Sequence, residues 1–267
     1  LNFFKPNNKE DLIEFLKNFQ DKKKIFCLGA GSNTLIRDGG FSGVVIKLSS
    51  KFSFINLLNN NILEVGAATL DKKLSSYAEE NSLTGLEFLS CIPGSVGGAI
   101  IMNSGCYGNE ISKKLISLKA VDFNGKEIEI DKNDIKFIYR GTNLPKDLII
   151  LSAKFQCSNE KREKISNKIK EYILKKKASQ PSQIKTCGST FKNPGEFKAW
   201  KLIKDSGCSE VIVGKASISE KHCNFFVNEG GASSKDIEEL IQIVRKRVLD
   251  KSKIKLDLEI KLIGEQK

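Results

Sequence analysis

Gly94, Gly97, Gly98, Gly105 and Gly108 fall within one stretch, running from Ile92-Pro93-Gly94-Ser95-Val96-Gly97-Gly98-Ala99 to Met102-Asn103-Ser104-Gly105-Cys106-Tyr107-Gly108. Glycine at this density has two physical uses: backbone at positive φ, or backbone brought so close to another group that no Cβ fits. Either use constrains the surrounding fold, because few of these positions can hold a bulky side chain. Tight packing between two strands is the ordinary explanation. A second glycine stretch, Gly29-Ala30-Gly31-Ser32-Asn33-Thr34, follows a short apolar strand from Ile25 to Leu28. Its backbone N–H groups can form an anion-binding nest. Two such stretches, each beside a strand, favour a large phosphate-bearing cofactor lying across them. The dinucleotide fingerprint Gly-x-Gly-x-x-Gly does not fit, because it needs glycine where Thr34 stands and no helix-forming run follows directly.

The rest of the chain reads as mixed helix and strand. Asn8 caps a helix with Leu12, Ile13, Leu16 and Phe19 at helical spacing. Strands are expected at Val44 to Leu48 and Asn61 to Val65, with a helix from Leu70 to Asn81. Ile116 to Phe123 and Glu127 to Ile130 flank Asn124-Gly125, the preferred hairpin turn. Leu148 to Phe155 closes a β-rich region at about residue 156. Composition then shifts to a lysine-rich amphipathic helix over Glu160 to Ala178, with Ile165, Ile169, Tyr172 and Ile173 on its apolar face. A helix over Phe197 to Ser206, short strands between Val211 and Val227, and a helix over Ser234 to Leu249 come next. Ile254 to Ile263 alternates as a final strand that carries Glu259. The expected fold class is α+β, divided into residues 1–156 and 157–267.

Composition narrows the functional classes. The 267 residues carry a formal net charge of +12, mostly from dispersed lysine. The densest runs, Lys22-Lys23-Lys24 and Lys175-Lys176-Lys177, lack the interleaved aromatics of a nucleic-acid surface, so a solvated face is the plain reading. No apolar run approaches a bilayer's span and the first residues lack a signal-peptide layout, which points to the cytoplasm and no membrane partner. Seven cysteines at wide spacing, with no Cys-x-x-Cys pair, imply free thiols in a reducing compartment. With His222 the only histidine, a multi-histidine metal site is excluded and no metal is expected. Chemistry must therefore come from carboxylates, hydroxyls, arginine, lysine or a cofactor.

The stretch Cys187-Gly188-Ser189-Thr190-Phe191-Lys192-Asn193-Pro194 assembles a hydroxyl, a cation and an amide behind a flexible approach, and proline ends it. Such a segment can hold one hydroxyl at a substrate while its neighbours grip an anion. An ordinary turn into a helix has the same composition. Arg140, between Tyr139 and Gly141, is a candidate on the same terms as any surface arginine.

Taken in order, these blocks resemble one family, the UDP-N-acetylenolpyruvoylglucosamine reductases (MurB). The resemblance rests on Gly29–Asn33, Gly85-Leu86-Glu87-Phe88, Ile92–Ala99, Tyr139-Arg140, Gly188–Pro194, Glu220-Lys221-His222 and Leu258–Gly264. It implies an FAD-binding domain of the vanillyl-alcohol-oxidase (PCMH) type over residues 1–156. A smaller α+β substrate domain occupies 157–267, its last strand packing back near the flavin. It further implies reduction of UDP-N-acetylglucosamine enolpyruvate to UDP-N-acetylmuramate, with NADPH as reductant, hydride from flavin N5 and a proton from a serine. By analogy Arg140, Ser189 and Glu259 are catalytic. The analogy assigns FAD to Gly29, Ala30, Gly31, Ser32, Asn33, Thr34, Ile92, Pro93, Gly94, Ser95, Gly97, Gly98 and Ala99, and the substrate to Lys192, Asn193 and Lys221. The resemblance implies a monomer that takes a small-molecule substrate and no nucleic acid.

The span from Arg140 to Cys187 leaves no room for the tyrosine-bearing loop of some members, which implies the shorter type II form. The chain also starts after the family's usual Thr-x-Phe/Lys-x-Gly-Gly segment. Lys215 replaces a customary glycine after Gly214, and Gly141-Thr142 replace the commoner residues after the arginine. Three other readings stay open: a different PCMH-type FAD oxidoreductase acting on a sugar or alcohol, a basic nucleotide- or RNA-binding protein, and a family member without flavin or activity.

Overall fold

The computed structural model describes residues 2–182 and 184–267. Contacts divide the chain into two compact units, one of residues 2–31 and 43–175, the other of residues 32–42 and 176–267.

In the first unit the Asn8 side chain accepts from the Asp11 N–H (2.8 Å) and opens the helix Lys9–Asn18, whose Leu12 and Leu16 are fully buried. Asn2–Phe4, Val44–Ile46 and Ile25–Cys27 form a parallel sheet with Val44–Ile46 in the middle. The main sheet is antiparallel, in the order Glu127–Asp131, Leu115–Asp122, Leu148–Gln156, Ile62–Gly66 and Ile55–Leu57. Its hairpin turns at Asn124-Gly125, where Gly125 has φ +82° and Asp122 Oδ1 accepts from the Asn124 and Lys126 N–H groups. Leu148–Gln156 is buried on both faces. Leu148, Ile150, Ala153 and Phe155 belong to one core with Leu74, Phe88, Val96 and Ile100, while Ile149 and Leu151 belong to a second core with Leu12, Leu16 and Ile46. A period of two puts Leu148 and Ile150 in one core and Ile149 and Leu151 in the other, and a bulge at residue 151, where Lys119 pairs with Ser152 but Ala120 with Ile150, shifts the phase so that Ala153 and Phe155 return to the first core.

The second unit is built on an antiparallel sheet in the order Thr186–Ser189, Phe225–Asn228, Ala216–Ile218 and Ile212–Val213. The helix Ser234–Ser252 supplies Ile237, Leu240, Ile241, Val244 and Val248 to its core. A capping box opens that helix, with Ser233 Oγ accepting from the Asp236 N–H and the Asp236 carboxylate accepting from the Ser233 N–H. Residues 32–42 belong here because Thr34–Ile36 pairs in parallel with Lys261–Ile263. Arg37 forms a two-bond fork on the Glu238 carboxylate (2.8 and 2.7 Å), and the Asp38 carboxylate accepts from Ser234. The Arg37 guanidinium holds the Glu238 carboxyl below its ordinary range.

Three sequence expectations are corrected. The final strand from Ile254 to Ile263 is not continuous. Its alternation is real, with Leu256 and Ile260 buried, but the segment changes partner: Leu258 bridges Phe191, the chain bends at Glu259 and Ile260, and only Lys261–Ile263 is a strand. The second glycine stretch, whose density suggests packing between two strands, instead contains a six-residue helix, Val96–Ile101, held by burial of Val96, Ala99 and Ile100. Thr186–Ser189, weighed as a turn, is a strand. Among the described residues no helix is long and apolar enough to cross a membrane, and no three His, Cys, Asp or Glu side chains cluster as metal ligands. All seven cysteines are free thiols.

Candidate active site

The candidate residues fall on both units. Gly29, Ala30, Gly31, Ile92, Pro93, Gly94, Ser95, Gly97, Gly98, Ala99 and Arg140 lie in the first; Ser32, Asn33, Thr34, Ser189, Lys192, Asn193, Lys221 and Glu259 lie in the second.

In the first unit the two glycine stretches meet. A Cβ on Gly29 would stand 2.9 Å from Ser95 Oγ and 3.9 Å from Gly98 Cα; one on Gly97 would stand 3.1 Å from Ala67 Cβ. Close approach, rather than φ, explains these glycines, whereas Gly31 has φ +80°. The Ile92–Ala99 stretch is stitched to the segment after strand Ile62–Gly66. The Asp71 N–H bonds Gly94 O (3.1 Å), Val96 N–H bonds Thr69 O (2.9 Å) and Gly97 N–H bonds Ala67 O (2.9 Å). Gly29 and Ala30 remain exposed, so backbone with little side chain over it is presented to any ligand there. That surface fits a large cofactor whose phosphates seek backbone N–H groups at close range.

Behind the loop lies a side chain that sequence reasoning missed. Asp71 is fully buried, neither carboxylate oxygen has a hydrogen-bond partner among the described residues, and Oδ2 is 2.4 Å from where a Gly94 Cβ would be. Burial pushes its pKa up to about 8, so at neutral pH it is an uncharged acid. Glu87 shows the opposite outcome. Burial raises its carboxyl, but bonds from the Thr84 hydroxyl and Gly85 N–H, with Lys168 nearby, outweigh that and hold it below its ordinary value.

Arg140 is the second residue of a two-residue turn joining Phe137–Ile138 to Gly141–Thr142. Its φ is +56°, the left-handed region that costs a side-chain-bearing residue ~1–2 kcal/mol. Its guanidinium lies 4.9 Å from the Tyr139 ring centroid.

In the second unit Ser189 and Glu259 come together through backbone. The Thr190 carbonyl accepts from the Glu259 N–H (2.9 Å), Phe191 bridges Leu258, and the Lys192 N–H bonds Asp257 O (2.9 Å). The Glu259 carbonyl in turn accepts from Asn33 Nδ2 (3.0 Å). Both candidate side chains are half-buried. Ser189 owes its direction to a bulge. Thr186 pairs with Val227 and Ser189 with Phe225, so three steps on one strand oppose two on the other, and Gly188 takes the extra residue at φ +80°.

Asn224, which sequence reasoning passed over, locks Thr190 and Phe191, the two residues after the candidate serine. It is buried, its Oδ1 accepts from the Phe191 N–H (2.9 Å), its Nδ2 donates to Phe191 O (2.8 Å), and its carbonyl accepts from Thr190 N–H (2.8 Å). His222 Nδ1 accepts from the Asn224 N–H (3.3 Å), and burial lowers the imidazole pKa, which keeps it neutral.

The expected anion grips are less uniform. Lys192 is half-buried beside Ser189's segment. Asn193 Oδ1 is engaged, accepting from the Ala199 N–H (3.0 Å) at the start of helix Ala199–Asp205, which leaves its Nδ2 as the donor. Lys221 is exposed and bonds the Lys177 carbonyl at the C-terminal end of helix Arg162–Ser179.

The chain matches two family descriptions: "FAD binding domain" over residues 1–131, and "UDP-N-acetylenolpyruvoylglucosamine reductase, C-terminal domain" over residues 180–263. The UDP-N-acetylenolpyruvoylglucosamine reductase of Pelagibacter ubique is 48% identical over 264 residues, which is 98% of this chain and 87% of that one. The chain belongs to this reductase family. A reductase of the same name from Rickettsia bellii is 44% identical over 263 residues, at 98% and 87% coverage. The crystal structure of the family's MurB from Thermus caldophilus superposes with a TM-score of 0.86 at 31% identity, covering 98% of this chain and 92% of that one. Family membership makes the protein an oxidoreductase of α+β fold, with an FAD-binding domain followed by the family's C-terminal domain.

Proposed function

We propose that this protein reduces the enolpyruvyl ether of UDP-N-acetylglucosamine to the lactyl ether of UDP-N-acetylmuramate, a precursor step of peptidoglycan synthesis, at the expense of NADPH. The observation that carries the reading is the pairing of Ser189 with Glu259 through the Thr190–Glu259 bond, a hydroxyl and a carboxyl on adjoining segments of one unit. Residues 1–156 hold the cofactor and contribute Arg140, and residues 157–267 hold the rest of the substrate. Gly29–Thr34 and Ile92–Ala99 would hold FAD, which when bound would supply the hydride chemistry, with NADPH as the reductant. The remaining work belongs to side chains. Arg140 binds the substrate carboxylate with its charged fork. Glu259 turns its carboxyl group to the enolate oxygens as negative charge develops there. Ser189 gives its hydroxyl proton to the neighbouring carbon, and Gly188's bulge fixes the hydroxyl's aim. Lys192, Asn193 Nδ2 and Lys221 hold the diphosphate, with Lys221 exchanging its carbonyl contact for phosphate. The protein works as a monomer in the cytoplasm, where seven thiols stay reduced.

Anaerobic absorbance of the FAD-loaded, desalted protein tests this. NADPH bleaches the oxidised flavin band, and UDP-N-acetylglucosamine enolpyruvate restores it. Bleaching without restoration by that sugar overturns the substrate assignment, and loss of all flavin on desalting overturns the cofactor assignment.

A further inference from the structure

Arg140 sits at the tip of a hairpin with only two residue pairs, Phe137 with Thr142 and Ile138 with Gly141, and its own backbone is in the left-handed region. Two pairs do not hold a hairpin by themselves in water. At its base Lys136 N–H bonds Asn143 Oδ1 (2.8 Å), and nearer the tip the Ile138 carbonyl accepts from Asn103 Nδ2 (3.1 Å). Asn103 is 1% exposed, stands just past helix Val96–Ile101, and takes φ +43°, a conformation asparagine tolerates better than most residues. Its amide shares its two hydrogens between Ile138 O and Glu110 Oε2 (3.0 Å). Those two acceptors fix which way the amide faces, because the reversed amide would turn its oxygen on a carboxylate and a carbonyl. Its Oδ1 has no partner among the described residues, so the side chain is oriented by donation alone.

We infer that Asn103 is the positioning residue for Arg140, tying the arginine's hairpin to the end of the helix that continues the second glycine stretch. The inference rests on the reading of Arg140 as the substrate's carboxylate-binding group. In functional terms, the same helix that backs the cofactor surface sets where that guanidinium stands. Asparagine is required at residue 103 for two reasons at once: donors on both sides, and a left-handed backbone.

Two variants remove the donors while keeping the left-handed backbone. Asn103→Asp keeps size and backbone but removes both donors and sets a carboxylate against Glu110; Asn103→Gly keeps the backbone and removes the side chain. For both, flavin content and NADPH bleaching stay at the wild-type level. The KM for the enolpyruvyl sugar in flavin reoxidation rises about tenfold, the worth of one such hydrogen bond. Amide exchange across residues 137–142 accelerates, while exchange in Leu148–Gln156 does not change. In an Arg140→Ala background, Asn103→Gly adds no further loss, since its effect travels through the arginine. Additive losses, an equal loss in the NADPH half-reaction, or unchanged exchange in the hairpin overturns the inference; if Asn103→Asp does not fold, Asn103→Gly decides. Should the wild type fail to reoxidise with that sugar, the functional reading falls, and hairpin exchange alone still decides whether Asn103 holds it.

Discussion

Glycine does two different jobs in the two units. At Gly29, Gly94 and Gly97 a side chain would meet atoms at 2.9, 2.4 and 3.1 Å, and none of the three has positive φ. At Gly188 the nearest atom to an added Cβ is 3.9 Å away, and the requirement is φ +80° alone. The first unit uses glycine to make room for backbone at the proposed cofactor surface; the second uses it to turn a strand at Ser189. Space and conformation have different chemistries of failure. A blocked space is relieved by removing what it collides with, whereas a strained φ is relieved by another residue that accepts it.

The largest expected effect lies at the end of the turned strand. Ser189→Ala lowers the rate of flavin reoxidation by the enolpyruvyl sugar by about 10²–10⁴-fold, the range for losing a proton donor, and leaves NADPH bleaching intact in stopped-flow absorbance. Equal loss in both half-reactions would remove the distinction between the two units.

Next comes the acid packed against Gly94. Asp71 binds its proton more tightly folded than unfolded, so stability falls as pH rises from about 4 toward the folded value of about 8 and then levels off. The slope is at most about 1.4 kcal/mol per pH unit. Asp71→Asn removes this component, and its melting temperature gains on the wild type as pH rises through that window. Parallel melting curves from pH 5 to 8 would show that Asp71 titrates normally.

Gly94→Ala ranks third, destabilising by about 1–3 kcal/mol in urea and weakening flavin retention as the loop shifts. Combined with Asp71→Ala, which removes the colliding carboxylate, most of the loss is recovered, the signature of a space defect. The smallest effect is at Gly188. Gly188→Ala costs ~1–2 kcal/mol for left-handed backbone, and Gly188→Asn costs less. If alanine and asparagine are equally harmful at residue 188, the requirement there is for space after all.

Legibility in the sequence divides along similar lines. Elements governed by local signals were readable: Asn8 before the Lys9–Asn18 helix, Asn124-Gly125 in the hairpin, and the apolar face of Ser234–Ser252. The ordered blocks carried the family. Interactions between residues distant in sequence were not readable. Glycines in Val96–Ile101 argued against a helix that burial of Val96, Ala99 and Ile100 stabilises. Alternation from Ile254 to Ile263 gave the correct buried positions, yet no period reveals that a strand changes partner at Glu259. Asp71, Asn103 and Asn224 left no signal, because a buried polar residue is recognised by its partners, or by their absence, and these lie elsewhere in the chain. Asn193 matched a motif for anion binding, and half of its amide turned out to cap a helix.

The assignment of residues 32–42 to the second unit bears on how the chain is made. Asn33 and Glu259, joined by a hydrogen bond, are 226 positions apart. During synthesis the strand Thr34–Ile36 is made more than two hundred residues before Lys261–Ile263, its strand partner among the described residues. The unit therefore closes only once Lys261–Ile263 has been made, with the slow closure expected of a very long loop. A fragment beginning at residue 176 would be born without one strand, and a peptide of residues 32–42 supplied in trans is the natural piece to complete it.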